Sequence, residues 1–187
     1  MYDIIVIGAG PAGASASLFA ARAGKKTLMI NSDQSMTKMA WLENHYGIPE
    51  ITGPDLVETG LKQAEKFGAE VVEAKVSKVA KGSDSLKVET DKDTYDAKHV
   101  IFATGASSDI AETSGVATKE GTEPKIKKIV DVDRSGKSSV DGIWAAGTCA
   151  GESVHTIITA GHGATVAINV ISELNGERYV DHDILKK

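Results

Sequence analysis

A run of strand-forming residues, Tyr2-Asp3-Ile4-Ile5-Val6-Ile7, leads without a break into Gly8-Ala9-Gly10-Pro11-Ala12-Gly13. Few folds accept that combination. Residues 3–7 are rich in Ile and Val, as in a strand covered on both faces. Pro11 to Ala23 is built of small residues and helix formers, with proline at a helix start where its missing N–H costs little. Gly24 ends that helix, and Lys26 to Ile30 gives a second buried strand. The whole is one βαβ unit of about 30 residues. Its three glycines have separate tasks: Gly8 makes the tight turn, Gly10 lets a pyrophosphate approach the backbone, and Gly13 lets the helix lie close to the sheet. N–H groups in the turn that Pro11 and Ala12 open, proline itself having none, then favour phosphate. The motif alone is weak; its position between strand and helix gives it weight.

The end of the second strand is the place for a ribose-binding residue, usually acidic. Here it carries Asn31, followed by Ser32 and Asp33. An amide can accept a hydroxyl proton but lacks the charge-assisted bond of a carboxylate.

Downstream, Asn31 to Pro49 is polar and includes Trp41, Glu43, Asn44 and Tyr46. Thr52-Gly53-Pro54-Asp55 opens an amphipathic helix with Leu56, Leu61, Ala64 and Phe67 on one side. Ala69 to Glu73 reads as a third parallel strand. Three short alternating segments (76–79, 86–90 and 94–97) then read as an antiparallel meander. Val100 to Ala103 is a further buried strand ending at Thr104-Gly105. The stretch 106–123 reads as irregular, and Ile126 to Val132 as strand-like. Ile143 to Ala146 forms a last sheet strand, and Glu152 to Leu174 a long helix.

A chain of 187 residues suits a single domain with a real core. Its net charge of -5 argues against nucleic acid or an anionic membrane as the main partner. No apolar run is expected to approach the roughly 20 residues of a membrane span, and no secretory signal is visible, so a cytoplasmic setting is the default. The one cysteine, Cys149, rules out an intrachain disulfide or a CxxC pair within these residues. The histidines at 45, 99, 155, 162 and 182 lack metal-ligand spacing.

Six pieces recur in one order: Gly8-Ala9-Gly10-Pro11-Ala12-Gly13, Glu43-Asn44, Thr52-Gly53-Pro54, Ala103-Thr104-Gly105, Gly142-Ile143-Trp144-Ala145-Ala146-Gly147 and Ala160-Gly161-His162-Gly163. On these the chain resembles the FAD domain of the thioredoxin reductase family, within the pyridine nucleotide-disulfide oxidoreductases. The resemblance implies an α/β, three-layer Rossmann-like FAD/NAD(P)-binding fold. A parallel sheet would carry helices on one face and a three-stranded antiparallel meander on the other. It implies one FAD-binding domain over 1–187, its halves 1–107 and 124–187 joined by a short segment.

The same resemblance assigns residues. Gly8, Gly10, Pro11, Ala12 and Gly13 would contact the pyrophosphate, and Asn31 with Ser32 the ribose. Val76 would pass near the adenine, and Asn44 would face the isoalloxazine. Ala103, Thr104 and Gly105 would lie along the cofactor, and Gly147 with Thr148 at the ribitol. His155, Thr156 and Ile157 would meet the flavin edge, where helix-start N–H groups stabilise negative charge. His155 and Cys149 are the candidates for catalysis: an imidazole titrates near neutrality, and a thiol beside a flavin could join its redox chemistry. Packing is the competing role for Cys149.

Three departures from the family stand out. The segment between Gly105 and Gly142 is far shorter than the roughly hundred residues of a nicotinamide-binding domain. The redox dithiol that such a domain carries has no counterpart. Thr148 stands where aspartate is usual.

The expected function is therefore an FAD-binding oxidoreductase reduced by a separate donor, with a homodimer as the family's habit. Two alternatives remain at this point: a non-catalytic FAD-carrying subunit or sensor, and a NAD-dependent dehydrogenase that would leave the late glycine segment unexplained.

Overall fold

The computed structural model describes residues 1–181 and 185; His182 lies outside them. In chain order the elements are β1 (Tyr2–Ile7), α1 (Pro11–Arg22), β2 (Thr27–Asn31), a 3-10 turn (Met36–Met39), β3 (Trp41–Leu42), β4 (Ile51–Thr52) and α2 (Gly53–Lys66). Next come β5 (Glu70–Glu73), β6 (Val76–Lys81), β7 (Leu86–Thr90), β8 (Thr94–Phe102) and α3 (Asp109–Thr113). The chain continues through β9 (Thr118–Glu120), β10 (Lys128–Val130), β11 (Ile143–Ala145), a second 3-10 turn (Gly147–Ala150) and α4 (Thr156–Asn175).

Seven strands form the main sheet in the order β5-β2-β1-β8-β7-β6, with β11 also on β8. β5, β2, β1, β8 and β11 run parallel, and β6, β7 and β8 form the antiparallel meander. Alternation along β1 sends Ile4 and Val6 to one side and Ile5 and Ile7 to the other. The first pair packs under Ala12, Ala16 and Ala20 of α1 and Val166, Val170 and Ile171 of α4. The second pair packs against Val79, Leu86 and Val88 of the meander. The architecture is thus a mixed α/β fold in three layers, with helices over one face of the sheet and the meander over the other. Small residues on α1 let α4 approach it closely, and Gly60 of α2 likewise touches Ala14.

β8 is a single nine-residue strand, where two segments were expected. Residues 94–97 pair with β7 and residues 100–102 with β11, while 97–102 face β1. Gly142, at φ +79°, turns into β11 in the gap left between β7 and β11.

Three further boundaries move. The stretch 106–123 is ordered into α3 and β9, the latter paired with β10 in a small antiparallel ladder. The last helix begins at Thr156 because residues 147–150 wind into a 3-10 turn that ends at Gly151 in the left-handed region. On α2 the buried side runs through Val57 and Ala64, and Phe67 is exposed. That helix starts on a mutual cap in which the Asp55 N–H donates to Thr52 Oγ1 at 3.2 Å and the hydroxyl donates to the Asp55 carboxylate at 2.6 Å.

By length and composition α4 could cross a membrane, contrary to the expectation that no apolar run comes near that length. Its Ile, Val, Ala and Leu residues carry the hydropathy, and its buried Val166, Ala167, Val170 and Ile171 pack in the cluster that includes α1.

Candidate functional site

The N-terminus of α1 sits where β1 ends, between β2 and β8. Gly8, at φ +111°, lies so close to the Ala103 carbonyl that no Cβ fits. Gly13 lies equally close to the Gly8 carbonyl, which draws α1 down onto the sheet. Gly10 is different: an added Cβ would meet only Ser35, 3.1 Å from its hydroxyl. Gly10 caps α1 without a side-chain bond, and the N–H groups of Ala12 and Gly13 have no partner among the described residues. A helix start leaves such donors to be satisfied by water or a ligand.

A second helix start lies nearby. Gly163 of α4 rests against the Ala12 backbone, and a Cβ at Gly147 would come within 2.7 Å of the Ala12 Cβ. Thr156 is seven residues upstream of Gly163, about 10 Å along the helix. Gly147 lies between the two helices, against Ala12 of α1 and Thr159 of α4, and Thr148 follows it. At the start of α4 the N–H groups of Thr156 and Ile157 are also without partners among the described residues. The His155 side chain does not cap them; its Nδ1 is 2.9 Å from Ser153 Oγ, at an exposed position.

An open cleft of about 580 Å³ is lined by Glu43, Asn44, His45, Tyr46, Gly47, Ile48 and Pro49. The two-residue ladder of β3 and β4 closes the base of this loop. His45 ties it to α4, with Nδ1 2.9 Å from Thr156 Oγ1.

The remaining sequence candidates fall around this path. Asn31 is buried at the end of β2. Its side-chain oxygen accepts the Asp33 N–H at 2.8 Å, while its backbone carbonyl accepts from Ala74 at 3.1 Å, two residues before Val76. Ser32 is exposed. Asn31 thus uses one of the two lone pairs of its side-chain oxygen on the local turn, while its amide N–H groups have no partner among the described residues. Thr104 donates to the Ser107 carbonyl at 2.6 Å and holds the turn through Gly105.

The proposed catalytic pair is not assembled. Cys149 is 1 % exposed, and its thiol donates to the Phe102 and Ala146 carbonyls at 3.3 Å. Burial pushes that thiol above its ordinary pKa, so it is held protonated in a packing role, while His155 points to Ser153.

Sequence reading missed two side chains. For His45 nothing local in the sequence signals a partner 111 residues away. His162 accepts the Gly147 N–H on Nδ1 at 3.0 Å. Burial lowers its pKa, which keeps that nitrogen free to accept.

Paired helix starts beside a glycine-rich strand turn define a dinucleotide-binding α/β domain of the oxidoreductase type. The model of the family described as pyridine nucleotide-disulphide oxidoreductase matches residues 2–128 and 62–164, and the chain belongs to that family. The thioredoxin reductase of Listeria monocytogenes is 41% identical over 109 residues, 57% of this chain and 34% of that protein. The chain thus spans about a third of the length of the curated relatives it matches. Among solved structures, the atypical thioredoxin reductase TRi from Desulfovibrio vulgaris Hildenborough aligns with TM-score 0.84 at 19% identity, covering 95% of this chain and 99% of that one. A ferredoxin-flavin thioredoxin reductase from Clostridium acetobutylicum aligns with TM-score 0.75 at 18% identity, covering 94% and 98%. These two likenesses show the fold. The recognised family implies an FAD site, and thioredoxin-reductase-like architecture is what this chain has.

Proposed function

We propose that this chain binds FAD as one domain and works as a flavin oxidoreductase whose electrons come from a separate donor. The observation that carries the reading is the pair of helix starts with N–H groups unpartnered among the described residues, about 10 Å apart along α4, with Gly147 between the two helices. One set suits the pyrophosphate and the other the electron-rich edge of the flavin; Gly10 leaves the backbone approachable. When bound, FAD would supply the redox chemistry, accepting electrons and passing them on.

The protein's residues would do the rest. Ala12 and Gly13 N–H groups would hold the diphosphate, and the Thr148 hydroxyl, with no partner among the described residues, would meet the ribitol. Asn31 would donate to the adenosine ribose, and the Thr156 and Ile157 N–H groups would stabilise negative charge on the reduced ring.

A separate donor is supported by the path from β8 to β11, which is filled by α3 and the β9–β10 ladder. A nicotinamide-binding domain needs roughly a hundred residues. That one structural relative is named for ferredoxin supports a protein donor by analogy of fold. Exposed apolar side chains, Tyr46 at 91% and Met39 at 81%, support association with a second subunit, and so also the alternative of an FAD-carrying subunit in a larger assembly.

The test is a visible spectrum of the purified protein after FAD is added, followed by anaerobic titration with NADPH and with reduced ferredoxin. FAD uptake with rapid reduction by the protein donor is expected. Folded protein that takes up no FAD would falsify the reading; bound FAD that no donor turns over would favour the subunit alternative.

A further inference from the structure

The loop Glu43–Pro49 has one hydrogen bond to the rest of the fold among the described residues, and His45 makes it. A second bond is internal to the loop, from the Ile48 N–H to the His45 carbonyl at 3.0 Å. Glu43, Asn44, Tyr46 and Gly47 are exposed, whereas His45 is half-buried and its partner Thr156 is buried. The bond closes a circuit: β3 and β4 fix the loop's two ends, and His45 fixes its tip to the first residue of α4.

We infer that His45 is a positioning residue for the flavin end of the cofactor, one that clasps the Glu43–Pro49 loop over the start of α4 through Thr156. The inference rests on the FAD reading above. An untethered loop with a two-residue base samples many conformations, and ordering it at the moment of binding costs affinity. With the clasp made, the cleft and the two α4 N–H groups present themselves to one ligand edge at once. His45 itself contacts no reacting atom in this scheme. It sets where the loop stands, and therefore how the ring is shielded from water.

The clasp lies at the α4 end of the groove, remote in the chain from the glycine turn at α1. It should therefore act on the flavin half of the ligand and not on the adenylate half. This gives a difference that a general loss of folding cannot imitate.

The test measures FAD and ADP affinity by calorimetry, with flavin fluorescence and redox potential, for the unaltered protein, His45→Ala, His45→Asn and Thr156→Val. Loss of a hydrogen bond predicts FAD binding weaker by roughly three- to tenfold in His45→Ala and Thr156→Val. ADP affinity should be unchanged, bound-flavin fluorescence altered, and His45→Asn partly restored. The double variant should be no worse than either single one. Equal FAD affinity and fluorescence in all four proteins would overturn the clasp. So would parallel loss of FAD and ADP affinity in folded variants. Failure of the unaltered protein to bind FAD would instead remove the parent reading.

Discussion

Gly163 of α4 lies against the carbonyl of Ala12 in α1 with no space for a Cβ between them. This contact, more than any bond, fixes how far the second helix start stands from the first. Its tightness follows from three small residues meeting at one point: Ala12, Gly147 and Gly163.

Gly163→Ala should therefore separate the two helices. Overpacking of this kind costs about 1–3 kcal/mol. A lowered melting temperature is expected together with weakened FAD binding. Addition of FAD should recover part of the loss, since a ligand that binds only the native state stabilises it. Unchanged melting and unchanged affinity would show that α4 can shift freely.

Thr148→Asp tests the ribitol position. Thr148 is buried, so a carboxylate there should destabilise the ligand-free protein. Against a ribitol hydroxyl the same carboxylate accepts a stronger bond than threonine does, by about 1 kcal/mol, or fivefold in affinity. The expected result is opposite signs: lower melting without FAD, tighter FAD binding. Calorimetry and thermal melts on one preparation check both.

Cys149 should be silent. Its thiol is buried, donates to two carbonyls, and is shifted upward by burial. Thiol-specific reagents should label it only in denaturant, and Cys149→Ser should retain FAD and any turnover measured for the parent. Rapid labelling of native protein would return it to the list of reactive groups.

The bond from Gly147 N–H to His162 predicts a pH dependence. Burial depresses the folded-state pKa of His162, and His99, whose Nδ1 accepts the Trp144 indole N–H at 3.1 Å, is depressed likewise. Groups of this sign contribute stability that is present above the ordinary histidine pKa of about 6.5. That stability is lost as pH falls through the folded-state value, because the unfolded chain takes the proton first. Glu152, 3.9 Å from His162 Nδ1, opposes the shift. Urea midpoints should drop on acidification below neutrality, and the drop should shrink in His162→Gln, whose amide oxygen can still accept from Gly147.

Much of this fold was legible because its signals are local. The strand–glycine–helix opening, the α2 cap at Thr52 and the late Gly-Ile-Trp strand each carry their own instructions in neighbouring residues. The glycines of the site were legible for the same reason. What failed to show was anything set by distant partners. β8 was divided in two because its alternating half and its all-apolar half obey different burial patterns, yet one strand can serve both. The turn in which Asn31 accepts the Asp33 N–H did not show either, because it is a detail of loop shape. The His45–Thr156 and His162–Gly147 bonds were invisible, since a lone histidine in a polar stretch has no periodicity to betray it.

The continuity of β8 has a consequence for how the molecule comes apart. Ala97 is paired on both edges, with Tyr2 in β1 and with Leu86 in β7, so no seam divides the two layers. Amide hydrogens on either half should exchange with solvent through the same rare, global opening, and the meander should never peel away by itself.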